Sequence, residues 1–103
     1  MLKRVEALKV SIRFFTSLRE IVGKREETLE FSETEKVTVN SVLETLAKRY
    51  GKTFVDYVYD AKSEKVKGFL QLLVNGQSAA PLGLETELED GDVLAIIPPV
   101  GGG

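Results

Sequence analysis

The chain has 103 residues, 43% apolar and 29% charged, with a formal net charge of −2, which suits one globular domain around a single core. Lys and Arg are scattered among Asp and Glu, against a nucleic-acid face; the start, Met1 to Leu8, has charges where a signal peptide needs its apolar stretch, and nothing approaches a membrane span, so a cytoplasmic protein is expected. There is no Cys, His or Trp, which removes disulfides, thiol nucleophiles, thiolate metal sites and the usual general base.

Leu8 to Phe14 alternates apolar with polar residues, the pattern of a half-buried strand with Leu8, Val10, Ile12 and Phe14 inward. Phe15 then places an apolar side chain on the polar side. Thr16 to Val22 reads as a connection, with Leu18, Ile21 and Val22 able to tuck under, and it ends at Gly23. Glu26 to Phe31 alternates again, with Leu29 and Phe31 inward, and predicts a hairpin with the first strand.

Val39, Val42, Leu43, Leu46, Ala47 and Tyr50 form a continuous stripe at helical period. Thr38 suits the N-cap, and Ser41 makes an imperfect capping box with it. Lys48 and Arg49 suit the C-terminal dipole, and Gly51 terminates the helix. The run Phe54, Val55, Tyr57, Val58, Tyr59 predicts a short buried turn, and Lys62 to Lys67 a surface loop. Phe69 to Asn75 is nearly all apolar, as expected of an interior strand. Asn75-Gly76 begins a turn, and Ser78 to Leu84 is irregular. Asp90-Gly91-Asp92 turns the chain into Val93 to Ile97, a strand apolar on both faces.

The chain ends on Pro98-Pro99-Val100-Gly101-Gly102-Gly103. Three consecutive glycines at a given place arise by chance with a probability of roughly 10⁻⁴ to 10⁻³. They add nothing to a core and order at high entropic cost. What they offer is reach, slimness and the Gly103 carboxylate, which a thin peptide can present inside another protein's active site. The bland alternative is an ill-ordered end or an appended scar; it leaves Pro-Pro-Val unexplained. The expected division is a domain over residues 1–100 and a flexible tail over residues 101–103.

Three segments carry a resemblance: Val10-Ser-Ile-Arg-Phe-Phe-Thr-Ser-Leu-Arg-Glu-Ile-Val-Gly23, Val74-Asn-Gly76, and Leu88 to Gly103 with its strand, two prolines, valine, one variable residue and Gly-Gly. Together with the helix Thr38 to Tyr50, they resemble the small subunit of molybdopterin synthase, the MoaD type of the MoaD/ThiS sulfur carriers. The likeness runs from about Leu8 to the end, and about seven residues precede it, more than the family usually has. It implies an α+β, β-grasp (ubiquitin-like) fold, a mixed sheet wrapped around one main helix. In that fold the first and last strands are parallel neighbours, so Phe15 and Ile97 fall at one end of the sheet, on the face away from the helix.

The resemblance also implies the chemistry. An E1-like adenylating enzyme uses ATP to turn the Gly103 carboxylate into an acyl adenylate. Sulfur transfer then gives a thiocarboxylate, which enters the large subunit of molybdopterin synthase and supplies dithiolene sulfur. On this reading Gly103 is the covalent site and Gly102 its slender neighbour. Phe15, Arg19, Ile97, Pro98, Pro99, Val100 and Gly101 form the partner interface. No side chain needs to be catalytic, so the chain is a carrier subunit that binds no cofactor or metal itself. A different class of reading keeps the same adenylate but joins Gly103 to lysine amines, as a ubiquitin-like modifier. Sulfur donation for thiamine or transfer-RNA thiolation is a third, and a β-grasp interaction module without tail chemistry a fourth.

Overall fold

The computed structural model describes residues 7–32, 34–79 and 83–98. The first two strands, β1 (Ala7–Phe14) and β2 (Glu26–Ser32), form an antiparallel hairpin running from Ala7 opposite Ser32 to Arg13 opposite Glu26. The predicted alternation holds: Val10, Ile12, Phe14 and Leu29 are buried, and Leu8 and Phe31 pack against the core. The connection between the strands is more ordered than expected. Ser17–Val22 is a short helix, α1, with Leu18 and Val22 buried and Gly23 closing it in the left-handed region.

The main helix, α2 (Val39–Tyr50), lays Val39, Val42, Leu43 and Leu46 on the inner face of the sheet. Its capping box is complete, not imperfect. Ser41 N–H donates to Thr38 Oγ1 at 3.2 Å, and Thr38 N–H donates to Ser41 Oγ at 3.2 Å. Serine serves at the third position because its hydroxyl accepts just as a Glu carboxylate does. Gly51 ends α2 as expected, but a second helix, α3 (Lys52–Val58), starts at once where a turn was predicted, burying Phe54 and Val58. Phe54, Tyr57 and Val58 stand at helical spacing, so one face of α3 reaches the core.

Among the described residues the remaining strands are β3 (Gln71–Val74), β4 (Gln77–Ser78) and β5 (Val93–Ile97), with a 3-10 turn at Gly83–Glu85. The sheet order is β2-β1-β5-β3-β4. The central pair β1–β5 is parallel, Ser11 opposite Val93 through Phe14 opposite Ile96, and β3 is antiparallel to β5. This mixed sheet, with α2 packed against one face, is the β-grasp fold. The third strand begins later than predicted. It starts at Gln71, so Phe69 lies outside it and is exposed rather than interior.

Leu94 and Ile96 of β5 lie opposite Ile12 and Phe14 of β1 and are fully buried, as are Leu43 and Leu46 of the helix above them. Each such side chain contributes about 1.5–3 kcal/mol relative to exposure. Consecutive strand residues alternate faces, so burying Leu94 and Ile96 leaves Val93, Ala95 and Ile97 on the open face.

Candidate functional site

The parallel β1–β5 pair sets the site. Phe15 and Ile97 each lie one residue beyond the Phe14–Ile96 pair, so they stand together at the end of the sheet where β5 leaves it. Both are half-buried. Across the open face, Ala95 lies opposite Leu73, and Ile97 opposite Gln71, so a half-buried apolar strip runs along β5 and onto β3. The β1–β2 half of the same face is charged, with Lys9 opposite Glu30 and Arg13 opposite Glu26.

Phe15 is dressed by two guanidiniums. The Arg13 group lies 5.9 Å from the ring centroid and the Arg19 group 5.8 Å, contacts worth about 0.5–1 kcal/mol each when exposed. Arg19 also donates from Nε to the Phe14 carbonyl at 3.2 Å, which ties α1 to the end of β1. The chain reaches α1 through Thr16, at φ 49° and ψ −123°. A β-branched residue at positive φ is strained, at a cost of roughly 1–3 kcal/mol. That strain makes the sharp turn that leaves Phe15 at the sheet's end.

Pro98, expected at the interface, is buried; its ring fixes φ at the strand exit. Pro99, Val100, Gly101, Gly102 and Gly103 lie outside the described residues. Among the described residues, no group of three His, Cys, Asp or Glu could hold a metal ion. No helix among them is long and apolar enough to cross a membrane.

The ThiS family model matches residues 12–103. The chain belongs to the ThiS family. It is 32% identical to small archaeal modifier protein 3 of Haloferax volcanii, covering 93% of this chain and all of that one. The crystal structure of SAMP1 from Haloferax volcanii superposes with a TM-score of 0.78 at 25% identity, covering 92% of this chain and 99% of that one. A Pyrococcus furiosus protein provisionally named molybdopterin converting factor, subunit 1, gives a TM-score of 0.70 at 28% identity, covering 90% and 99%.

This ThiS-family domain also contains a cluster that the sequence reading did not single out. Glu27 of β2, 8% exposed, accepts hydrogen bonds from Arg49 and from the Tyr50 hydroxyl, with Lys24 Nζ 3.9 Å away. Tyr50 in turn meets Phe14 edge-on, with ring centroids 6.4 Å apart. Glu27 shares the inward parity of Leu29 and Phe31, and a carboxylate on the core side of an alternating strand needs partners. That parity was the available signal. The cluster holds the hairpin to the end of α2 and is a fastening, not a reactive site.

Proposed function

We propose that this ThiS-family protein is a carrier whose Gly103 carboxylate is activated by an E1-like adenylating enzyme. The carboxylate is a poor electrophile; attack of its oxygen on the α-phosphorus of ATP gives an acyl adenylate and releases pyrophosphate. Hydrosulfide then adds to the acyl carbon, AMP departs, and the thioacid loses its proton to leave a C-terminal thiocarboxylate. In the finer reading that sulfur passes to a pterin dithiolene in the large subunit of molybdopterin synthase. ATP belongs to the activating partner, and no side chain of this chain acts on it. The chemistry would take place in the cytoplasm.

The observation that carries the proposal is the position of the strand exit. The central parallel pair ends at Phe14 and Ile96, Phe15 and Ile97 come next, and β5 exits at Pro98 beside an apolar strip. An apolar strip on an otherwise solvated face suits partner contact. One surface then serves the activating enzyme and the acceptor in turn, because one tail cannot occupy two active sites. Residues 101–103 act as the threading tail, with Gly102 keeping it slim.

A second reading has support from one finding, the 32% identity to a protein named as a modifier. There a lysine amine attacks the activated acyl carbon and forms an isopeptide bond. The test is intact-mass analysis of the protein purified from its own cells. Replacement of one terminal oxygen by sulfur is the expected result. A branched lysine conjugate in its place would select the modifier, and an unaltered terminus under sulfur-replete growth would contradict carriage.

A further inference from the structure

The strand exit has a second flank. Because β3 runs antiparallel to β5 and Gln71 lies opposite Ile97, the residues just before β3 approach the end of the sheet where β5 finishes, across β5 from β1. Phe69 is there, with 52% of its surface exposed, the large apolar residue most open to water among those described. Lys67 Nζ sits 5.8 Å from its ring centroid and is held by the Asp56 carbonyl at 2.9 Å. The arrangement repeats that of Phe15 beneath Arg13 and Arg19 on the other side.

Arg13, Arg19 and Lys67 share one further property. Among the described residues, none of the three has a carboxylate within ion-pair distance, although the chain as a whole carries a net negative charge. Each of the three lies over an exposed or half-buried phenylalanine, Arg13 and Arg19 over Phe15 and Lys67 over Phe69, with Glu26 across the strand pair from Arg13.

We infer that Phe69 and Lys67 form the second jaw of the docking surface. The partner that fits it is an activating enzyme whose channel mouth carries apolar seats rimmed by carboxylates on both sides of the entering tail. The inference rests on the docking reading above and extends it to a residue pair outside the sheet. Carboxylates there would meet cations already oriented by their rings, so little side-chain freedom is lost on binding. Opposite charge would also raise the encounter rate at low salt.

The test is adenylation kinetics with the activating enzyme encoded in the same genome, using the full-length chain. Phe69→Ser and Lys67→Met are compared with Phe15→Asp. Phe69→Ser is expected to raise KM for the carrier about tenfold with kcat unchanged, as for an aromatic contact made equally in the ground and transition states. Lys67→Met should raise it about threefold at low salt, a difference that shrinks as salt screens the rim. If Phe15→Asp raises KM while the other two leave it at the wild-type value, the second jaw is overturned and the docking reading stands. If all three leave it unchanged, both fall. Sedimentation that shows a wild-type dimer and a Phe69→Ser monomer, with KM unaltered, would assign the surface to a second copy and overturn the inference.

Discussion

The two ends of the sheet are built on opposite principles. At the end where β5 begins, the polar groups answer one another within the chain. Asn75 and Gly76, at φ 51° and 84°, form the two-residue turn of the β3–β4 hairpin, which needs positive φ at both positions. The Asn75 side chain accepts from Val93 N–H at 2.9 Å and donates to Asp92 Oδ1 at 2.9 Å, while Asp92 Oδ2 accepts from Glu89 N–H at 2.8 Å. Asp90 reaches across to Lys9 N–H at 2.8 Å. At the other end, where β5 leaves, Phe15, Ile97 and Phe69 meet solvent, and Arg13, Arg19 and Lys67 form no ion pair among the described residues. One end completes the fold; the other is left to be completed by something else.

Substitutions should separate the two ends. The largest effect is expected at the exit. Phe15→Asp or Ile97→Asp should weaken binding to the proposed activating enzyme about 100-fold, as for a charge placed in an apolar interface centre. Thermal unfolding should shift by less than about 1 kcal/mol, as for surface positions. Unfolding of either variant would move its residue from the interface into the core and break the comparison.

At the turn end the expectation reverses. Asp92→Ala should cost about 2 kcal/mol in chemical denaturation, since the carboxylate accepts from both a backbone N–H and the Asn75 amide. Its KM in adenylation should match the wild type. A raised KM at unchanged stability would show that both ends touch the partner. The Glu27 fastening sharpens the same point from the core. Glu27→Ala should destabilise by about 2 kcal/mol, less than a fully buried pair because Arg49 is half exposed, again without altering KM.

The smallest expected effect is a gain. Thr16→Gly removes the positive-φ strain beside Phe15, offset in part by the greater freedom of an unfolded glycine, and should stabilise by roughly 1 kcal/mol. Equal or lower stability would mean that this turn holds no strain to release.

The legible parts of this chain were those with long periodicity. Alternation in β1 and β2 and the stripe of α2 carried their own signals, and the parallel neighbours Phe15 and Ile97 followed from the resemblance. Short elements escaped for a physical reason. The helix α1 has six residues and no side-chain cap, so its propensity is weak and packing of Leu18 and Val22 decides it. Phe69 looked like strand interior because composition cannot say where a strand begins; the turn in which Leu70 N–H donates to the Lys67 carbonyl at 3.2 Å does. The Glu27 partners lie on β2 and α2, remote in sequence, and only the fold brings them together.

The central claim is that the covalent chemistry resides in the last two residues and that the domain only delivers them. The direct measurement is ATP–pyrophosphate exchange by the cognate activating enzyme, supplied with the chain lacking Gly102 and Gly103 or carrying Gly102→Ala. A methyl group at Gly102 narrows the backbone angles and thickens the threading segment, so this variant should show depressed exchange with stability within about 0.5 kcal/mol of the wild type. The truncated chain should bind the enzyme yet support no exchange. Exchange at the wild-type rate from the truncated chain would contradict the account.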